Sequence, residues 1–214
     1  SASNVINLGL LGHNAISDAI RIAAEEFYEN NLDYKIVMTV FPASEYENLY
    51  KKLETGEIDL AWTFHTDMNS KYKYYPFRRN SIKCAMSGKN PLAAKKTLQW
   101  PDLNGQSFVM AGKNELFPKL ISEQCAKYDF VPYEAYYSLD SAHMAKLICN
   151  DKAMGLLFFE YIDTIGTICP DIVFKSVEPP LYMTASLITM AENSSAAVKK
   201  AASFIRSKLI YSST

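Results

Sequence analysis

Apolar residues along this chain alternate between the period of a strand and the period of a helix, with glycine, asparagine and proline at the changes. Residues 5–11, VINLGLL, read as a buried strand, and Gly12-His13-Asn14 as the turn after it. Across residues 14–31, Ile16, Ala19, Ile20, Ala23, Ala24 and Phe27 recur at helical spacing. Asn14 stands where its side-chain oxygen can cap that helix. Residues 34–41, YKIVMTVF, alternate and are rich in β-branched types, as a strand should be. Ser44-Glu45-Tyr46-Glu47 has the form of a capping box opening a second helix, and residues 58–64 make a third strand. The order β-α-β-α-β implies a parallel sheet with right-handed crossovers.

Residues 67–80 read as a polar, Tyr-rich loop, and residues 81–86 as a further strand. Gly88-Lys89-Asn90-Pro91 breaks the pattern before a strand at 107–111. A helix at 114–127 carries Leu116, Phe117, Leu120, Ile121 and Cys125 on one side, and tolerates Pro118 in its first turn. A strand at 131–137, a helix at 141–150 and a strand at 154–159 complete a second β-α-β-α-β set. Residues 172–177 form a strand, and Pro179-Pro180 stiffens the passage to another at 182–190. The chain closes on an amphipathic helix at 194–210, with Ala197, Ala201, Phe204, Ile205 and Leu209 inward.

The two sets echo one another. LETGEIDLAWTF (53–64) lies over ICNDKAMGLLFF (148–159) without a gap: Leu53 on Ile148, Gly56 on Asp151, Phe64 on Phe159. Such an echo suggests two similar lobes, each feeding strand ends toward a common cleft. Residues 5–80 with 182–214 would form one subdomain and 87–178 the other. Residues 81–86 and 179–181 would be hinge crossings, and residues 1–3 read as a cloning remnant.

Composition excludes several function classes. A chain of 214 residues can bury a core without a metal or disulfide staple. A net charge of −1 offers no field for a polyanion, and a free-standing DNA-binding domain would be basic. Lys71, Lys73, Arg78, Arg79 and Lys83 interleave with Tyr72, Tyr74, Tyr75 and Phe77, but in a neutral chain they read as a solvated loop and strand edge. No apolar run reaches the roughly 18 residues that a membrane span requires. The four cysteines, Cys84, Cys125, Cys149 and Cys169, include no CxxC pair and read as buried reduced thiols suited to the cytosol. Asp140 and His143 lack the third partner that a triad or catalytic metal needs. No cofactor is expected.

Several segments then fall in a known order: residues 53–61 (LETGEIDLA), Asn90-Pro91-Leu92-Ala93, residues 98–105 ending in Asp102-Leu103-Asn104-Gly105, residues 138–157, and the helix after Asn193. Over residues 5–209 the chain resembles the effector-binding domain of LysR-type transcriptional regulators. It departs from the family pattern at Asn90, usually histidine, and near Asp151, usually glycine. The resemblance implies an α/β, two-lobed periplasmic-binding-protein-like fold of type 2, with two Rossmann-like subdomains joined by two crossover strands. It implies a cytoplasmic sensor of a small organic effector, not an enzyme. DNA would be contacted only through an N-terminal helix-turn-helix outside this chain, and no membrane is involved. A homodimer or higher homo-oligomer would form with antiparallel subunits. The first helix would lie beside the partner's helix 114–127, with Phe27 and Phe117 at that surface. A transporter's solute-binding protein shares the fold, but lone cysteines and Asn90-Pro91-Leu92-Ala93 disfavour it. An enzyme on this scaffold lacks a convincing acid–base or nucleophile set.

In open α/β sheets, ligands bind beyond the carboxyl ends of the strands. That rule, and matching family positions, select His13, Asn14, Thr63, Phe64, His65, Gly112, Lys113, Asn114, Asp140, Ser141 and Phe159 as effector-binding residues. Helix N-termini and Lys113 would favour an anionic group such as a carboxylate. Phe64 and Phe159 would supply apolar walls. Each residue also has a plainer role: Asn14 and Ser141 as helix caps, His13 and His65 as loop histidines, Lys113 as a solvated cation, Phe159 as core.

Overall fold

The leucine-rich and β-branched runs become strands of two separate sheets in the computed structural model, which describes residues 4–113 and 115–211. In chain order come β1 (Val5–Leu11), α1 (Ala15–Glu29), β2 (Lys35–Phe41), α2 (Tyr46–Glu54), β3 (Leu60–His65) and β4 (Tyr72–Ser81). Next are β5 (Lys83–Ser87), β6 (Leu98–Gln99), β7 (Ser107–Met110), α3 (Leu116–Ala126), β8 (Tyr133–Tyr137), α4 (Ser141–Cys149), β9 (Met154–Leu157), α5 (Glu160–Ile168) and β10 (Ile172–Glu178). β11 (Tyr182–Met190) and α6 (Ala196–Tyr211) close the chain. It divides into two compact units: the first runs to Arg79 and resumes at Thr184, and the second is Asn80–Met183. β4 and β11 each contain one of the two boundaries.

The first unit's sheet has the order β2-β1-β3-β11-β4. β1 runs parallel to β2, from Val5 opposite Lys35 to Leu11 opposite Phe41, and parallel to β3, with Gly9 opposite Ala61. β11 lies antiparallel to β3. The inward face of α1 buries Ile16, Ile20, Ala23, Ala24 and Phe27, and Phe204 of α6 meets Phe27 with ring centroids 5.5 Å apart. Each large apolar side chain so buried contributes roughly 1.5–3 kcal/mol.

The second unit's sheet has the order β6-β10-β5-β9-β7-β8. β7 is parallel to β8 and to β9, and β5 is antiparallel to β9. The second sheet thus repeats the first: three parallel strands with a first-in-chain strand at their centre, then an antiparallel neighbour. Its core joins Ala85 and Val109 of the sheet to Met144, Ala145 and Ile148 of α4 and Ile165 of α5.

The sequence echo is also a backbone echo. Gly56 and Asp151 both adopt left-handed φ, 77° and 54°. Gly56 N–H donates to the Leu53 carbonyl and Asp151 N–H to that of Ile148; Glu57 N–H reaches back to Lys52, and Lys152 N–H to Leu147. Leu53 and Ile148 themselves are fully buried.

Four expectations are corrected. Residues 72–81 are strand β4 rather than loop, because their aromatic side chains suit a pleated edge while Lys73 and Pro76 stay exposed, as edge strands tolerate. α5 was not foreseen: EYIDTIGTI places Ile162, Ile165 and Ile168 at helical spacing, but it is nine residues long, contains Gly166, and buries only Ile165 fully. Ser44 sits in a 3-10 turn (Ala43–Glu45) instead of capping α2, whose N-cap, Glu45, makes no side-chain capping bond. Phe27 and Phe117, expected at a dimer surface, are buried within their own units, against Phe204 and Phe158.

The cysteines divide. Cys84 and Cys125 are free and buried as expected, but Cys149 and Cys169 are joined by a disulfide. The pairing was hidden because it depends on α5, which brings Cys169 back beside the end of α4. Among the described residues, no helix is long and apolar enough to cross a membrane.

Candidate functional site

In the first unit, β1 and β3 leave the sheet at the same edge because they are parallel and in register at Gly9 and Ala61. Gly12, with φ 74°, turns the chain, and Asn14 then caps α1 by accepting from Ser17 N–H at 2.9 Å. The Asn14 amide also donates to the Leu11 carbonyl at 2.9 Å, so this side chain fixes the loop from both sides. His13 and Asn14 are exposed. A buried bond ties the loop to β3: the Trp62 indole N–H donates to Ser17 Oγ at 2.9 Å.

Thr63 is buried and shares a 3.0 Å hydrogen bond with the Tyr50 hydroxyl of α2. Burial pushes the Tyr50 phenol above its ordinary range, so it stays protonated. Phe64 faces the other way and lies 6.4 Å from Trp62. His65 Nδ1 contacts the Asp67 carbonyl at 3.2 Å, and Nε2 contacts Ser186 Oγ at 2.8 Å. A carbonyl only accepts, so Nδ1 carries the proton and Nε2 accepts from the Ser186 hydroxyl. Burial holds the imidazole below its usual pKa, with the Asp67 carbonyl and charge opposing. The Tyr74 ring lies tilted against the His65 ring, centroids 4.5 Å apart, completing a polar and aromatic strand end.

In the second unit the loops after β7 and β8 are held together by Ser138 N–H donating to the Met110 carbonyl at 3.0 Å. Gly112 has φ 83°, and the Glu115 carboxyl fills the place where a side chain's Cβ would stand. Half-burial raises the pKa of Glu115. Lys113 is exposed and stands over the Tyr137 ring at 5.7 Å. Asn114 lies outside the described residues. Asp140, rather than Ser141, caps α4: its carboxylate accepts from Ala142 N–H at 2.7 Å and His143 N–H at 3.1 Å. Asp140 prevails because an extended carboxylate residue one step earlier reaches both free amides. Ser141 becomes the first helical residue. The His143 ring meets Ser138 Oγ at 3.1 Å, with Asp140 engaged at the helix end.

Phe159 is buried, with φ 51° and ψ −137°, at the start of α5. A bulky residue in that region is strained, and such strain clusters at ligand sites and switches. Its ring meets Phe158 at 5.0 Å, and Phe158 meets Phe117 at 4.7 Å. Among the described residues, no three His, Cys, Asp or Glu side chains converge as metal ligands would.

The structure therefore gathers His13, Asn14, Thr63, Phe64 and His65 at one strand end of the first unit. It gathers Gly112, Lys113, Asp140 and Ser141 at the matching end of the second, and Phe159 follows β9. Sequence reasoning missed Tyr50, Tyr74 and Ser186 as site residues. Ser186 did leave a signal: Thr184 and Ser186 set two polar residues on one face of a mostly apolar strand.

No curated protein matches this chain in sequence. The profile of the LysR substrate binding domain matches residues 40–209. Among solved structures, the regulatory domain of MetR, a LysR family regulator from N. meningitidis, superposes with a TM-score of 0.70 at 12% identity, covering 95% of this chain and 93% of that one. The effector binding domain of QuiR, in complex with shikimate, gives 0.64 at 16% identity, covering 96% and 97%. HinK, a LysR family transcriptional regulator from Pseudomonas aeruginosa, gives 0.63 at 12% identity, covering 97% of this chain and 71% of that one. These similarities establish the type 2 periplasmic-binding-protein-like fold. With the family profile spanning most of its length, the chain belongs to the LysR substrate-binding domain family, whose members sense effectors for transcription regulation.

Proposed function

We propose that a small organic anion binds in a cleft between the two units, at the carboxyl ends of β1, β3, β7 and β9. The observation that supports this most is the recurrence, in both units, of parallel strands ending in loops that carry polar and aromatic side chains. Ligands of open α/β sheets occupy that edge. His13, Asn14, Thr63, Phe64 and His65 would form one wall; Gly112, Lys113, Asp140, Ser141 and Phe159 the other. The α1 and α4 N-termini and Lys113 favour a carboxylate. Binding would favour one arrangement of the units, by no more than the effector's differential affinity for the two. No catalytic set is proposed, and turnover is not part of the function.

The arrangement would be read out in the cytoplasm through an antiparallel homodimer, and DNA through an N-terminal helix-turn-helix outside this chain. Exposed apolar residues support such pairing. Leu32 shortly precedes edge strand β2, Val131 shortly precedes edge strand β8, Tyr133 opens β8, and Ile22 lies on α1; their exposures run from 63% to 82%. Apolar groups so exposed beside sheet edges favour a protein partner.

Thermal-shift screening against small carboxylates, shikimate among them, tests the site. Hits should be retested on Asn14→Ser, which keeps a capping oxygen, combined with Ser141→Ala, which leaves the Asp140 cap intact. Loss of binding with the fold retained supports the site. Undiminished binding refutes it.

A further inference from the structure

Cysteine was expected here only as core filling, yet two of the four side chains meet at a mechanically significant place. Cys149 is the last residue of α4, and Cys169 follows the last turn of α5. The opposite ends of the same two helices carry Asp140 and Ser141, and Phe159. The bridge therefore joins the far ends of the two helices whose near ends furnish one wall of the proposed site.

α5 is weakly held otherwise. It has nine residues, of which Ile165 alone is fully buried; Tyr161 and Ile162 only partly cover the core of this unit. At its start Phe159 is strained, with φ 51°. Such a helix opens locally more readily than one seated on a full apolar face. The disulfide pins its other end.

We propose that Cys149 and Cys169 form a reversible thiol–disulfide latch that sets the order of α5, and through α5 the position of Phe159. The statement about Phe159 as a ligand wall rests on the cleft proposed above; the latch does not. Three features support reversibility. Both sulfur-bearing residues are only half-buried, so small oxidants and reductants reach them. The other two thiols are withdrawn: burial raises Cys84 strongly and Cys125 to about 12, so neither competes as a thiolate near neutrality. In a reducing compartment, such as the cytoplasm proposed for this protein, disulfides are transient or sensing rather than permanent.

The chemistry balances with a peroxide. One cysteine thiolate attacks a peroxide oxygen, giving a sulfenic acid and, for hydrogen peroxide, one water. The second thiol displaces the sulfenic hydroxyl as a second water, and the S–S bond forms. Two thiols are oxidised by two electrons and one peroxide is reduced. A dithiol returns the pair by exchange through a mixed disulfide.

Hydrogen exchange read by mass spectrometry tests the latch without any effector, so its outcome is independent of the cleft reading. The whole chain is compared oxidised by hydrogen peroxide, reduced by tris(2-carboxyethyl)phosphine, and as Cys149→Ser/Cys169→Ser. Reduction should speed exchange of the α5 amides about ten-fold or more, leave α6 unchanged, and be reversed by peroxide. The double variant should match the reduced protein and ignore reductant. The reduced wild type needs no substitution, so it decides the question if the variant fails to fold. Equal α5 exchange in oxidised and reduced protein overturns the proposal. So does continued alkylation of Cys149 and Cys169 after peroxide treatment.

Discussion

Replacing Ser17 with alanine should destabilise the first unit by roughly 1–2 kcal/mol, although it deletes one oxygen and improves helix propensity. Ser17 is fully buried, Trp62 is 2% exposed, and the indole N–H has Ser17 Oγ as its partner at 2.9 Å. Alanine leaves that donor buried and unpaired, a cost of about 1–3 kcal/mol. The gain in helix propensity, about 0.5 kcal/mol, offsets part of it. The weaker 3.4 Å contact from Ser17 Oγ to the Leu11 carbonyl adds little. Urea unfolding followed by circular dichroism measures the change. Trp62→Phe closes a double-mutant cycle: once the indole donor is gone, Ser17→Ala has nothing to orphan. The two substitutions should be coupled by about 1 kcal/mol or more, with the double variant more stable than additivity predicts. Additivity within about 0.3 kcal/mol would refute the idea that this bond seats α1 on β3 beneath the candidate site.

Three further outcomes are expected. Thr189 Oγ1 is buried without a partner, so Thr189→Val should raise stability by about 0.5–1.5 kcal/mol, read as a higher urea midpoint. His65 titrates lower in the folded state than its ordinary 6.5, because burial disfavours the imidazolium. The unfolded chain therefore binds more protons in acid: the His65 contribution is present above about pH 6.5 and fades as pH falls through the lower folded value, and His65→Gln should flatten that part of a urea-midpoint profile. At Gly56, φ is 77° and an added Cβ would meet nothing within 4 Å, so Gly56→Ala should cost about 1 kcal/mol in thermal unfolding, from the backbone alone. Gly56→Asp should cost less despite its larger side chain, because Asp tolerates this backbone, as Asp151 does in the second unit.

Much of the fold was legible because the strands and helices with one clear buried face announce their period. β1, with four of its residues fully buried in succession, and α1, with its stripe from Ile16 to Phe27, needed no tertiary information. The elements that escaped owe their form to neighbours. β4 is polar and basic by composition; it is a strand because β11 offers an edge and its tyrosines lie along it. α5 carries a helical period in Tyr161, Ile162, Ile165 and Ile168, but over only nine residues, and its capping geometry depends on the unusual backbone of Phe159. The loops of the site were readable from strand ends, since parallel order fixes where they emerge. Their internal bonding was not: Asp140 and Ser141 compete for one helix end, and only the extended conformation of Asp140 decides it. Partners from distant segments, such as Ser186 for His65 across 121 positions, cannot be paired from local spacing.

One backbone device, used twice, ends in two kinds of surface, and the point of divergence can be located. After the left-handed turn at Gly56 or Asp151, each chain enters a buried strand between a parallel and an antiparallel neighbour. In the first unit the antiparallel neighbour β11 stays paired to the end, with Thr184 opposite His65, so Thr63 and His65 remain on a regular strand and meet Tyr50 and Ser186. In the second, pairing with β5 ends at Lys83 opposite Leu157, and the chain departs into Phe158, strained Phe159 and α5. Loss of ladder pairing frees the backbone to turn, and the turn brings Phe117, Phe158 and Phe159 together. The first unit's strand end thus offers hydrogen-bonding groups held on a regular sheet, and the second offers clustered rings in tilted and edge-on contact beside a helix tied by a disulfide.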